Sequence, residues 1–274
     1  MPNGRPNLIE WLGEAESGEP GLGGKGASLD RLIRLGYRVP PGFCVTTAAF
    51  HAGRAASDVL DRELHRALGR LEAVAAETTG GQVGLAVRSS AIGEDGATAS
   101  FAGLHETELD VPPAAVPEAV RRCWASLASA PALAYRARRG LSDQDIAMAV
   151  VVQALVPADA SAVVFTRHPV TGDADQLVVT AARGLGDAMV SGTITPDTLV
   201  IDRNSAGVID FYPADAAGPD VLAPADVAGI VALSLAVERD FGAAVDIEAA
   251  LAGGTWFLLQ ARPITTGATA GAGA

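Results

Sequence analysis

Apolar positions recur at helical spacing through the first half of the chain and gather into short unbroken runs in the second. Leu60, Leu64, Leu68 and Leu71 stand four, four and three residues apart, which predicts an amphipathic helix over residues 57–78. Residues 22–36, LGGKGASLDRLIRLG, predict a glycine turn running into a helix. Its buried stripe would be Leu29, Leu32, Ile33 and Leu35, and Gly36 would end it. VPPGFCVTT predicts an extended segment leading to a helix capped by Thr46 or Thr47. A short strand over 84–88 follows, then a small, polar, glycine-bearing loop over 89–105. Two more helices are expected, one after Pro112 and Pro113 and one over 131–139.

From residue 146 the grammar changes. IAMAVVVQALV, SAVVFT, QLVVTAA and TLVIDR are apolar runs bounded by Gly, Pro, Asp and Asn, which is the pattern of strands. A helix over 224–241 intervenes, and DIEAALAGGTWFLLQARP then reads as strand, glycine turn, strand. No internal repeat is visible. The shift near residue 150 predicts a mixed α/β (α+β) protein of two lobes, 1–150 and 151–265. Residues 266–274 offer no large side chain to bury and are expected to be a disordered tail.

Composition narrows the function classes. With 49% apolar residues the 274-residue chain can bury a substantial core. A formal charge of -12 argues against nucleic-acid binding, which rests on clustered Lys and Arg. No basic stretch followed by an apolar run marks a secretory leader, and no apolar run is long enough for a bilayer, so a soluble, cytoplasmic protein is expected. Cys44 and Cys123 lack metal-type or redox-type spacing and read as buried thiols. Of the 20 basic residues, 19 are Arg and one, Lys25, is Lys. An ammonium is a compact point charge where guanidinium is a broad fork, so a site shaped for Lys need not accept Arg.

Four elements carry candidate chemistry. The GGKG turn at 23–26 lets backbone approach an anion at a helix start. It lacks the Walker A pattern, and a purely structural turn is the competing reading. Arg88 is a lone cation in the strand AVRSSA, available for an ion pair or a phosphate. The loop holding Ser100, Ala102 and Gly103 could lay its amides over phosphates or merely connect. The terminal hairpin is the most geometric of the candidates. A turn of odd length, such as Gly253, Gly254 and Thr255, places Glu248 opposite Gln260 and Asp246 opposite Arg262 on one face. A carboxylate and an amide oxygen suit Mg²⁺, and a guanidinium suits phosphate oxygens. An ordinary polar sheet face with a cross-strand ion pair is the alternative.

Taken in order, the blocks LGGKGASL, GYRVPPGFCVTT, VRSSA, EDGATASFAGLHET, VVVQALV, VVFTRHPVTG, AARGLGDAMVSGTITPDT, VDIE and LLQARPIT resemble the ATP-binding domain shared by phosphoenolpyruvate synthase, pyruvate phosphate dikinase and rifampin phosphotransferase. The resemblance implies a two-lobed ATP-grasp fold with nucleotide in the inter-lobe cleft. It implies that Lys25, Arg88 and Arg262 grip the triphosphate and that Glu248 and Gln260 ligate Mg²⁺. It further implies that Gln153, Ala154, Leu155 and Val156 pass behind adenine, with Ala154 and Leu155 reading its edge through their backbone, and that Ser100 to Gly103 cap the phosphates. The chain departs from the family pattern at Ala162, His168 and Leu104, none of them a proposed phosphate or metal group; His168 is expected to be a loop residue. The family's phosphorylatable histidine domain has no counterpart in the residues after Pro263 and is expected to lie elsewhere. The expected activity is therefore ATP-dependent phosphoryl or pyrophosphoryl transfer to a histidine domain on a separate chain or to a small-molecule acceptor. A noncatalytic nucleotide sensor or scaffold subunit is the alternative.

Overall fold

The computed structural model describes residues 7–53, 57–79, 84–92, 107–129, 133, 147–190, 192–215, 218 and 220–264. The chain divides into two compact units, with the division falling after Val156 rather than at 150. The reason is that the apolar run near 150 does not open the second sheet but completes the first.

In the first unit, strands β1 (Ile9–Trp11), β2 (Gly42–Val45), β3 (Leu85–Ala91), β4 (Thr107–Val111) and β5 (Met148–Ala154) form one antiparallel sheet in the order β1-β2-β5-β3-β4. Among the described residues four α-helices accompany it: α1 (Gly18–Arg34), α2 (Thr47–Ala52), α3 (Ser57–Thr79) and α4 (Val116–Ser126); the helix expected over 131–139 lies outside the described residues apart from residue 133. Strand β3 extends past the expected 84–88 and carries Ser89 and Ser90 inside the sheet. Leu60, Leu64, Leu68 and Leu71 of α3 join Phe43, Val45, Leu85, Val87, Val150 and Val152 in one hydrophobic core, as the helical spacing predicted. Alternation along the strands sends the other side chains to the face against α1. Leu29 and Leu32 of α1 are fully buried, whereas Leu35, expected on the same stripe, is 44% exposed because it falls in the C-cap beyond the last turn. Thr46 is the N-cap of α2, its hydroxyl accepting the Ala49 N–H.

The second unit holds β6 (Ala160–Phe165), β7 (Gln176–Arg183), β8 (Asp197–Asp202), β9 (Val208–Tyr212), β10 (Val245–Ala252) and β11 (Thr255–Pro263), antiparallel in the order β11-β10-β6-β7-β8-β9. A short helix, α5 (Asp187–Val190), and a long one, α6 (Pro224–Phe241), complete it. Helix α6 starts with Pro224 at its first position, its Asp226 carboxylate accepts the Ala223 N–H, and Gly242 ends it in the left-handed region. It packs on β10 and β11, where the Trp256 indole N–H donates to the Asp226 carbonyl. Arg203, beyond β8, donates to both oxygens of Glu238 on α6 and to the Thr166 carbonyl, tying three segments together. Among the described residues no helix is long and apolar enough to cross a membrane.

Candidate functional site

The glycine-rich bend around Lys25 is held by one side chain from a distant part of the chain. The Gly26 N–H donates to Ser90 Oγ at 3.0 Å, and the Ser90 hydroxyl donates to the Leu22 carbonyl at 2.8 Å. Ser90 thus bridges the two backbone groups that a regular helix joins directly, and an oxygen inserted into that ladder kinks a helix. Gly23 absorbs the kink at φ 67° and ψ 176°. A Cβ on Gly23 would lie 2.1 Å from the Ser90 carbonyl oxygen, so this position needs glycine for its conformation and for its contact. Gly26 is also close-packed, since a Cβ there would come within 3.1 Å of Leu22 Cβ and 3.3 Å of Cys44 Sγ.

Lys25 lies inside this bridged turn and is buried. Arg88 precedes Ser90 by two residues on a strand paired regularly with β5, so both point to the face that meets α1. It too is buried, which puts two cations against one face of the first sheet. Cys44 lies beside the same bend, and burial pushes its thiol far above the ordinary range; it is a packing group, free of disulfide.

Gln153 belongs to that face as well, opposite Ala86 and Gly42. Its side-chain amide donates to the Pro40 carbonyl at 3.0 Å, tying the end of β5 to the VPPG segment. The Ala154 N–H donates to the Pro41 carbonyl and the Leu155 N–H to the Gly84 carbonyl, each at 2.9 Å. Both amide hydrogens are therefore committed to protein oxygens. Ser100, Ala102 and Gly103 lie outside the described residues.

In the second unit the hairpin pairs Asp246 with Arg262 and Glu248 with Gln260, the register expected from sequence. The route to it differs. The turn holds two residues, Gly253 and Gly254, both at positive φ as a tight hairpin turn requires. A β-bulge then inserts Leu259 as an extra residue and restores the offset that a three-residue turn would have supplied. All four polar side chains stand on the face turned away from α6. Arg262 Nε and Nη2 both lie 2.7 Å from Asp246 Oδ2. Burial pushes the Asp246 carboxyl above the ordinary carboxylate range; Arg262 pulls against that rise and the Glu248 charge adds to it.

Gln260 is buried and Glu248 half-buried beside it. A carboxylate and an amide oxygen facing each other are hard donors, and they fit Mg²⁺, which takes few protein ligands and fills its shell with phosphate oxygens and water. Among the described residues no three His, Cys, Asp or Glu side chains gather into a metal cage. His168 Nδ1 accepts the N–H groups of Val170 and Thr171, each at 3.2 Å, which makes it a turn residue as expected. Ser90 is the residue that sequence reasoning missed. Its signal was alternation, because the second serine of VRSSA shares the face of Arg88.

Residues 55–217 match the family model described as pyruvate phosphate dikinase, AMP/ATP-binding domain. The chain belongs to that family. The matched span holds Arg88, Ser90 and the segment 153–156, while Lys25 and the hairpin lie on either side of it. Curated relatives cover those flanks too. A probable phosphoenolpyruvate synthase from Archaeoglobus fulgidus is 33% identical over 94% of this chain and 42% of its own. A rifampicin phosphotransferase from Streptomyces sviceus is 36% identical over 89% of this chain and 34% of its own. The prodigiosin synthesizing transferase PigC from Serratia marcescens is 35% identical over 95% of this chain and 33% of its own. The chain therefore spans between a third and a half of the length of these relatives.

Proposed function

We propose that this AMP/ATP-binding domain binds Mg-ATP and works as an ATP-dependent phosphotransferase module. It would pass a phosphoryl or pyrophosphoryl group to a histidine domain or to a small-molecule acceptor. The observation that carries the reading is the placement of Lys25 and Arg88 against one face of the first sheet, in a chain of this family. A polyanion bound at that face would gain charge-assisted hydrogen bonds from an ammonium and a guanidinium.

In this reading Lys25 and Arg88 of the first unit and Arg262 of the second hold triphosphate oxygens. Glu248 and Gln260 hold Mg²⁺, which when bound supplies charge neutralisation on the phosphates. Gln153 to Val156 run along the adenine, offering backbone oxygens in place of the committed amides of Ala154 and Leu155. Ser100, Ala102 and Gly103 would cover the phosphates. Catalysis of this kind is mostly positioning and electrostatics, because the transferred group needs fixed cations where its charge develops. Cys44 and Cys123 are buried thiols outside any disulfide, which suits a reducing compartment, and a cytoplasmic location belongs to the proposal.

Incubation with Mg-ATP, alone and with candidate acceptors, tests the reading through its products. AMP reports cleavage between the α and β phosphates, and ADP cleavage between β and γ. Lys25→Met should abolish turnover while leaving the circular dichroism spectrum and melting curve close to the parent's. Full turnover by that variant would remove the lysine from the phosphate grip, and tight ATP binding without turnover on any acceptor would make the chain a nucleotide sensor.

A further inference from the structure

The Ser90 hydroxyl is buried, comes from a strand remote in sequence, and occupies the middle of a helix hydrogen bond. Lys25 sits between the two backbone groups it bridges, Leu22 C=O and Gly26 N–H. Arg88 sits two residues along the same strand and on the same face. One hydroxyl therefore connects the backbone that carries the lysine to the strand that carries the arginine. We infer that Ser90 is a positioning residue, which sets Lys25 relative to Arg88 so that both reach the phosphates of one nucleotide. The inference rests on the phosphate-gripping role proposed for Lys25.

Without the hydroxyl the bend can follow either of two courses. If the Gly26 N–H and Leu22 C=O close on each other, the kink at Gly23 straightens and the turn bearing Lys25 moves away from β3. If they stay apart, the Gly26 N–H loses its acceptor and the Leu22 carbonyl keeps only the weak Cys44 thiol contact at 3.5 Å, and that cost loosens the same turn. Either outcome displaces the lysine without touching adenine. Ser90 needs no contact with the nucleotide to act in this way, and its effect should appear only where Lys25 has something to hold.

The test is a double-mutant cycle on equilibrium binding. Mg-ATP and adenosine affinities are measured by calorimetry for the parent chain, Ser90→Ala, Lys25→Met and the double variant. Ser90→Ala is expected to weaken Mg-ATP by about tenfold and to change adenosine by less than about twofold. In the Lys25→Met background the same change should weaken Mg-ATP by less than about twofold, because the group it positions is gone. Unchanged Mg-ATP affinity in Ser90→Ala, equal losses for ATP and adenosine, or a full loss persisting in the Lys25→Met background would each overturn the inference. A Lys25→Met chain that binds Mg-ATP like the parent is a separate result, since it removes the reading of the lysine itself. Should Ser90→Ala fail to fold, Ser90→Cys carries the test: a thiol bridges at longer range and should give a smaller loss confined to the phosphorylated ligand. A Ser90→Cys chain with parental Mg-ATP affinity, or with equal losses for both ligands, sinks the inference as well.

Discussion

Glu248 on β10 stands directly opposite Gln260 on β11, and the bulge at Leu259 is what brings them into register. With the two-residue turn alone, Glu248 would meet Leu259, and Gln260 and Arg262 would point toward α6. Glu248→Gln keeps the shape of the side chain and removes the charge a divalent ion needs. The parent should bind ATP at least about tenfold more tightly with Mg²⁺ than with chelator, and the variant should show nearly equal affinities. Since Glu248 is half-buried and its charge works against the neighbouring Asp246 carboxylate, the melting temperature should hold or rise. A variant that keeps the full Mg²⁺ enhancement would place the metal elsewhere.

What could be read from sequence was what depends on neighbours in the chain. The Leu60-Leu64-Leu68-Leu71 stripe is a property of one helix, and alternation within two adjoining strands was enough to pair Asp246 with Arg262 and Glu248 with Gln260. What escaped depends on partners far away. The apolar run around Val150 could not declare which sheet it joins, and it pairs with β2 and β3 of the first unit. Strands β4, TELDV, and β9, VIDFY, are edge strands, exposed or partly so, and they lack the buried apolar run that marked the others. The glycine turn at 23–26 was legible, but the Ser90 hydroxyl that bridges it was not, since it comes from a strand remote in sequence.

Gly23 and Gly36 give a matched comparison. Both have positive φ, but a Cβ on Gly23 would strike the Ser90 backbone whereas nothing lies within 4 Å of one on Gly36. Gly36→Ala should cost about 1 kcal/mol of stability, from backbone strain alone. Gly23→Ala should cost several times more and deplete the soluble fraction on expression, because strand backbone cannot yield as a flexible side chain can. Urea denaturation of the two variants decides it, and comparable midpoints would mean that the bend is soft.

Neighbouring serines on β3 should behave in opposite ways. Ser89 faces the hydrophobic core, fully buried, and its hydroxyl finds no hydrogen-bond partner among the described residues. Such a group is desolvated without return, so Ser89→Ala should be neutral or stabilising by up to about 1 kcal/mol. Mg-ATP affinity should stay at the parental value, in contrast to Ser90→Ala. A marked loss of stability in Ser89→Ala would show that its hydroxyl is satisfied in solution.

The edge strand β4 is fastened to α4 by a forked pair, with Arg122 Nε 2.8 Å from Glu108 Oε1 and Nη2 2.6 Å from Oε2. The hydrogen bonds from Arg122 hold the Glu108 carboxyl below the ordinary glutamate range, against a smaller opposing effect of burial. A depressed native value means that the unfolded chain binds more protons as acid is added. The pair's stabilisation is therefore complete above the ordinary glutamate range and is lost as pH falls through the lowered native value. Glu108→Gln should melt below the parent at pH 7, and the gap should close in strongly acidic buffer, where the parent's carboxyl is also protonated. High salt should shrink the gap at pH 7 as well, because both side chains reach solvent. A difference in melting temperature that persists unchanged from pH 7 to strong acid would mean that the fork contributes through packing and not through charge.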